Sequence, residues 1–325
     1  MKTFIKLLKK FILLAIPLVL VCVYTFLNPM GYMSLEYPMW VEERDAVHKS
    51  FAERDPGTIV LGDSRAKSGI IPKEIETSGD IYNIAIGGST GIEMYFAARN
   101  YLRNHKAPER ALVIFAPFHF TEMDNWDQTL YFNYLSAAEV LEVKRDALKY
   151  GTKKVNYNGS FADLLSFSLR LPNKYMDALV SSRFNGNREA NLKKYASVRE
   201  DGGYTAFGEE EYNDGLSYET HKEDFELDLL VDEYYLKLLD LLRDNGVEVI
   251  IEQAPLNTAS HEAIRDEYFA DYDRYMQGIR ERYPTFSVET GVPEYDNSYF
   301  GDNNHLNRRG AERFSKEIKE KWFGE

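Results

Sequence analysis

From residue 58 to the C-terminus, short apolar runs closed by glycine or proline alternate with stretches of helical spacing. The runs are 58–61, 81–86, 111–115, 247–251 and 286–288. Ile92, Tyr95, Phe96 and Leu102 place a helix over 91–104, and further helices are predicted over 225–243, 261–282 and 309–322. Runs this short and apolar suit strands buried on both faces. Strand–helix repetition with right-handed crossovers predicts an α/β fold, a three-layer sandwich around a parallel sheet.

The rhythm lapses once, for about a hundred residues between the third and fourth strands, and a connection that long is a subdomain or a functional insertion. The insertion, 119–220, carries Trp126, Tyr131, Phe132, Tyr134, Tyr150, Tyr157, Tyr175 and Phe184. It reads either as a helical cap whose aromatics fill its own core or as a groove that stacks sugars. The domain as a whole is placed at 58–325, behind a polar stalk or short helix at 36–57.

The first ten residues hold Lys2, Lys6, Lys9 and Lys10 without an acid, and residues 11–27 are uncharged and almost wholly apolar. That length is the lower limit for crossing a hydrocarbon core of about 30 Å. Residues 1–35 read as a cytoplasmic stub and a single-pass signal anchor, because no small-x-small cleavage site follows; a cleaved signal peptide is the rival. Lysines on the N-terminal side keep that end in the cytoplasm and put the domain outside the cell membrane.

The chain has 39 basic and 52 acidic residues; residues 1–35 take four lysines and no acid, leaving 35 against 52, a net of −17. Such a domain is a poor binder of nucleic acid. The single cysteine, Cys22, lies in the anchor segment, which excludes an internal disulfide and a thiolate metal site. No nucleotide loop or zinc-protease motif is present, and neither cofactor nor metal is expected.

Gly62-Asp63-Ser64 ends the first strand where the backbone must turn, which is where such sheets present reactive groups. A serine hydroxyl needs a base, and the base needs an orienting group. Asp302 and His305, three residues apart, can be delivered together by one short turn. The bland alternative is a strand-ending turn with an unrelated DxxH in a loop. Asp63 reads as a turn-stabilising residue. Arg65 either neutralises an anionic acceptor or pairs with Asp63. Glu252, at the end of the fourth strand, is a candidate substrate contact. His105 and His261 read as solvated histidines.

These residues resemble the SGNH (GDSL-type) hydrolase superfamily. Gly62-Asp63-Ser64 resembles its nucleophile block, Asn83-Ile-Ala-Ile-Gly-Gly-Ser-Thr90 its second block, and Asp302-Asn-Asn-His305 its last. The resemblance implies a five-stranded parallel flavodoxin-like sheet, catalysis by Ser64, Asp302 and His305, and an oxyanion hole from the N–H groups of Ser64 and Gly88. One block departs: Ala116-Pro-Phe-His-Phe120 stands where the family has Gly-x-Asn-Asp, so the donating Asn is missing. His119 or Asn125 is a candidate substitute.

The anchor, Gly-Asp-Ser-Arg65 and Asp302-x-x-His-Leu-Asn-x-x-Gly-Ala311 are most similar to the membrane-anchored branch that works beside membrane-bound O-acyltransferases. That branch includes DltD of teichoic-acid D-alanylation and the alginate O-acetylation proteins AlgJ and AlgX. It implies O-acyl transfer to an envelope polysaccharide or teichoic acid through a serine acyl-enzyme, with a membrane-bound O-acyltransferase as acyl donor. A plain carbohydrate esterase and a non-catalytic scaffold are the alternatives.

Overall fold

The computed structural model describes residues 2–51, 55–76, 80–123, 125–150 and 186–324. Tyr157, Tyr175 and Phe184 of the expected aromatic insertion lie outside them. The chain opens with α1 (Lys2–Leu27), α2 (Pro29–Tyr32) and α3 (Tyr37–His48). Then follow β1 (Thr58–Gly62), α4 (Ser64–Gly69), α5 (Pro72–Ile75), β2 (Ile81–Asn83), α6 (Gly91–Asn104) and β3 (Arg110–Ile114). The insertion contributes α7 (Trp126–Tyr131), α8 (Ala137–Tyr150) and α9 (Arg188–Glu200). The C-terminal part holds α10 (Leu229–Asp244), β4 (Glu248–Glu252), β5 (Leu256–Asn257), α11 (Thr258–Ala263) and α12 (Asp266–Arg282). It closes with β6 (Ser287–Val288), β7 (Glu294–Tyr295) and α13 (Arg308–Trp322).

The main sheet has five parallel strands in the order β2-β1-β3-β4-β6. Alternate residues of one strand point to opposite faces. Ile59, Leu61, Val113 and Ile251 accordingly enter one apolar cluster, while Val60, Leu112, Ile114 and Ile250 enter another. α3, α6, α10 and α12 contribute to the first, and α4, α5 and α13 to the second. This is the expected α/β sandwich. β5 and β7 form a small second parallel sheet that the sequence reading did not contain.

Four expectations change. The run at 81–86 is a strand only to Asn83, whose side-chain oxygen accepts the Ala85 N–H at 3.1 Å and turns the chain aside. The helix expected over 261–282 is two, separated at Ile264 and Arg265, both in extended conformation. The segment expected as a polar stalk or short helix forms a helix, α3, but one packed into the domain: Tyr37, Met39, Trp40 and Val47 are buried. Its acids are buried with it, Glu42 bonded to the Tyr82 hydroxyl and Glu43 to the Tyr134 hydroxyl, the latter at 2.8 Å. His105 is not solvated; its Nδ1 lies 2.8 Å from Asp55 and its ring stacks on Tyr101, whereas His261 stays partly exposed.

Along α1, Phe11, Leu13, Leu14 and Leu20 are exposed. Among the described residues no helix is long and apolar enough to cross a membrane. Leu18, Val21, Cys22 and Phe26 fall outside the side chains described. The expected anchor therefore forms as a helix without being shown as a span.

Candidate active site

At the end of β1 the chain must turn against β3. Gly62 has φ +151°, and a Cβ there would fall onto the Ile114 carbonyl. Asp63 follows, fully buried, with Oδ1 accepting the Arg65 N–H at 2.8 Å and Oδ2 the Ala116 N–H at 2.6 Å. Asp63 is thus the turn-stabilising residue expected, and it caps α4. Ser64 is the first residue of that helix and faces a cleft of about 290 Å³.

His305 faces the same cleft. Asp302 Oδ1 accepts the N–H groups of Asn304 and His305, each at 2.8 Å, which curls the loop back on itself. The same carboxylate holds His305 Nδ1, at 2.9 Å from Oδ1 and 2.8 Å from Oδ2. A carboxylate only accepts, so Nδ1 carries a proton, and in the neutral imidazole Nε2 is the nitrogen with the lone pair. Nε2 is buried without a hydrogen bond, and the Phe207 ring lies 4.9 Å from the imidazole between centroids. Burial alone would push the Asp302 carboxyl up; the His305 hydrogen bond and the two loop N–H groups outweigh it and hold it below the ordinary value.

The turn after β2 supplies the third wall. Gly88 has φ +72°, a left-handed conformation, and a Cβ there would fall on the side-chain amide of Asn125. Ser89 Oγ donates to the Gly62 carbonyl at 2.8 Å, and Ile86 N–H donates to the same carbonyl at 3.0 Å. The Gly88 turn is therefore fixed to the residue two before the serine.

Beyond β3, Pro117–Phe120 is a single 3₁₀ turn. His119 Nε2 stands 3.7 Å from Asp63 Oδ2, and its Nδ1 is buried without a partner. His119 and Asn125 both line the cleft. Arg65 reaches the cleft too, but it is not paired with Asp63 through its side chain. Its guanidinium bonds Glu219 at 2.7 Å and Asn304 at 3.3 Å, nearly fully buried. This pair ties the insertion to the Asp302 loop, while Arg65 Nη1 is buried without a hydrogen bond. Burial raises the Glu219 carboxyl, and the adjacent guanidinium overrides that and lowers it.

Glu252 is a correction. Its carboxylate turns to Lys321 at 2.8 Å and Trp322 at 2.9 Å, and it does not line the cleft. The expected aromatic walls are also redistributed. Trp126, Phe132 and Tyr134 are core residues, the last two packed on Trp40, while Tyr131 and Tyr150 rest against the same cluster. The cleft's aromatic lining is Trp40, Phe118, Phe207 and Tyr218. Sequence reasoning missed Trp40 and Phe207. The spacing of Tyr37, Trp40, Ala46 and Val47 on a segment with Pro38 near its start is a helix signal that could have found Trp40. Phe207 stands alone in a polar stretch and gives no such signal.

No family model matches the chain, and no curated protein matches it. Among solved structures, one provisionally described as a platelet activating factor from Streptococcus pneumonia is 12% identical. It aligns over 88% of this chain and 91% of its own with a TM-score of 0.38. Another, provisionally described as an acylhydrolase from Bacteroides fragilis, is 10% identical over 87% of this chain and 94% of its own, with a TM-score of 0.36.

Proposed function

We propose that the protein is a serine-dependent acyl-ester enzyme, and that it transfers acyl groups to hydroxyls of a cell-envelope polymer. The observation that carries the reading is the arrangement of Ser64 and His305 on one cleft, with both oxygens of Asp302 on Nδ1 and Nε2 left open. In the reaction, Ser64 Oγ attacks the acyl carbonyl while its proton passes to His305 Nε2. The imidazolium returns that proton to the departing group, leaving an ester on Ser64. An acceptor hydroxyl then attacks that ester, giving its proton to His305 and restoring the serine. The N–H groups of Ser64 and Gly88 stabilise the oxyanion in both steps.

Two features support an alcohol acceptor over water. Gln128, Asn125, Tyr218 and Asn304 place hydrogen-bonding groups on the cleft, and Trp40, Phe118 and Tyr218 give it aromatic faces. A polysaccharide or teichoic acid fits that chemistry. The lysines in the first turns of α1 and the exposed apolar residues along the rest of it support an anchor with its N-terminus in the cytoplasm. In this proposal the domain lies outside the cell membrane, and a membrane-bound O-acyltransferase supplies the acyl group. This is the role of the DltD and AlgJ/AlgX-like branch.

The test sets labelling beside envelope chemistry. A serine-directed phosphonate should modify the full-length protein at Ser64, and a Ser64→Ala strain should lose the O-acyl content of its envelope polymer. Unchanged acyl content in that strain would leave a scaffold. Acetate release from p-nitrophenyl acetate that an added oligosaccharide does not redirect into acylated sugar would leave an esterase.

A further inference from the structure

Behind the Phe207 ring lies a second cavity, of about 550 Å³, between the start of α3 and the helix α9. It shares Glu36, Met39 and Phe207 with the cleft that holds Ser64 and His305. We infer that Phe207, with Met39 beside it, is the partition that sets how long an acyl chain the cleft accepts, and that the cavity behind it holds the chain once the partition is removed. This rests on the serine reading of the preceding section.

The two side chains form one wall. A Cβ on Gly87 would meet Phe207 Cζ at 3.2 Å and Met39 Cε at 3.4 Å, so both pack against the same bare stretch of backbone. The Phe207 ring also lies 4.9 Å from the His305 imidazole between centroids, tilted by 36°. It therefore reaches from the turn before Gly88 to the base that serves Ser64, and an acyl chain following this wall away from the serine meets it.

A partition limits length only if it stays in place. Thr205 N–H donates to the Lys67 carbonyl at 3.4 Å, which ties the chain two residues before Phe207 to α4, the helix that Ser64 opens. One residue after Phe207, Gly208 lies backbone to backbone on Gly301, so close that a Cβ on either would stand 2.3 Å from the other's backbone. Glu210 N–H then donates to the Gly301 carbonyl at 3.2 Å, directly before Asp302. Phe207 is thus fixed on both sides, to the segment that carries Ser64 and to the one that carries Asp302 and His305.

The cavity beyond suits a hydrocarbon chain. Leu35, Met39, Ala190, Ala206 and Phe207 line it, Lys194 is bonded to the Thr205 hydroxyl, and Glu36 and Glu209 are exposed. The acyl arm is the occupant rather than the acceptor, because Asn125, Gln128, Tyr218 and Asn304 offer the acceptor hydrogen bonds in the cleft itself. An apolar lining favours only the arm that has apolar surface to remove from water.

The experiment uses full-length protein in detergent and compares p-nitrophenyl butyrate with p-nitrophenyl octanoate. The ratio of their kcat/KM within one variant cancels any change in how His305 is held. Phe207→Ala should raise the octanoate-to-butyrate ratio about ten- to a hundredfold over wild type, since each of the four extra methylenes is worth about fourfold when buried. Phe207→Leu, which keeps an apolar side chain in the wall, should fall between the two and decides the matter if the alanine variant melts early. Ala190 is exposed on α9 and lines the second cavity but not the cleft, so adding Ala190→Trp should return the ratio to near that of wild type. Folded Phe207 variants with the wild-type ratio, or a raised ratio that Ala190→Trp leaves unchanged, overturn the inference. Binding of free octanoate, measured by calorimetry in the same detergent, needs no nucleophile. It should be gained in Phe207→Ala and lost again with Ala190→Trp, and no gain counts against the partition. If Ser64→Ala keeps full turnover, the serine reading fails instead while octanoate binding still decides on the partition, so the two failures are distinguishable.

Discussion

Asp63 Oδ2 accepts the Ala116 N–H at 2.6 Å, joining the turn that presents Ser64 to the second residue beyond β3. Its other oxygen caps α4 through Arg65. One buried side chain therefore sets the spacing between two strand ends from which the cleft is built. Asp63→Ala leaves both N–H groups without a partner and should cost about 1–3 kcal/mol for each. Urea denaturation measures this. Asp63→Asn, which keeps an acceptor, should cost less, and a loss under about 0.5 kcal/mol in the alanine variant would contradict the assignment.

For the proposed triad, Ser64→Ala and His305→Ala should each lower kcat by on the order of 10⁴–10⁶, and Asp302→Ala by less, since orientation alone is lost. The double variant of Ser64 and His305 should be no slower than either single one. Asp302 has its carboxyl held below the ordinary value, so its clamp on His305 is present above that value and is lost only as pH falls through the lowered one. Carboxyl NMR titration of the wild-type protein in which Asp302 titrates at or above its ordinary value of 3.8 would contradict this.

Gly88→Ala should be severe for two reasons. The left-handed φ of +72° disfavours any side chain, and the new methyl displaces the Asn125 amide. The expected result is a folded protein with kcat down about a hundredfold. Phosphonate labelling at Ser64 should slow in parallel, and combining Gly88→Ala with Asn125→Ala should add little. Fully additive losses would place the two residues in separate functions.

Glu43 gives a pH dependence of stability. Burial drives its carboxyl up to about 8, against weaker opposition from the Tyr134 hydrogen bond and from Lys67 and Arg44, with Glu42 adding to the rise. The folded chain therefore holds a proton that the unfolded chain releases above its ordinary value of 4.5. Glu43 favours folding fully below that value, and the advantage is lost as pH rises through about 8. Glu43→Gln keeps the acceptor for Tyr134 without the charge. Its melting temperature relative to wild type should climb between pH 5 and pH 8, and a flat difference would rule the account out.

The pairing of Asp302 with His305 was legible in the sequence because it is local, the carboxylate accepting the N–H of a residue three positions on. The strands were legible because their central residues are apolar and buried on both faces, as at Ile59–Leu61, Ala111–Ile114 and Val249–Ile251. What escaped has partners far along the chain. Glu42 and Glu43 look like solvated charge until Tyr82 and Tyr134 are brought against them from 40 and 91 residues away. Glu252 was placed at the correct strand end, but its direction is set by Lys321 and Trp322 on the last helix.

The burial of α3 moves the boundary of the folding unit. A soluble version starting at residue 58 would leave Tyr82 and Tyr134 without their carboxylates and would remove Met39 and Trp40 from the cleft. The unit also holds the chain further back, since Asn187 and Asn191 donate to the Met33 carbonyl at 3.2 Å and Asn191 to that of Met30 at 2.8 Å. The workable cut lies between Leu27 and Pro29. Only Asn28 separates α1 from α2, so this link has almost no slack.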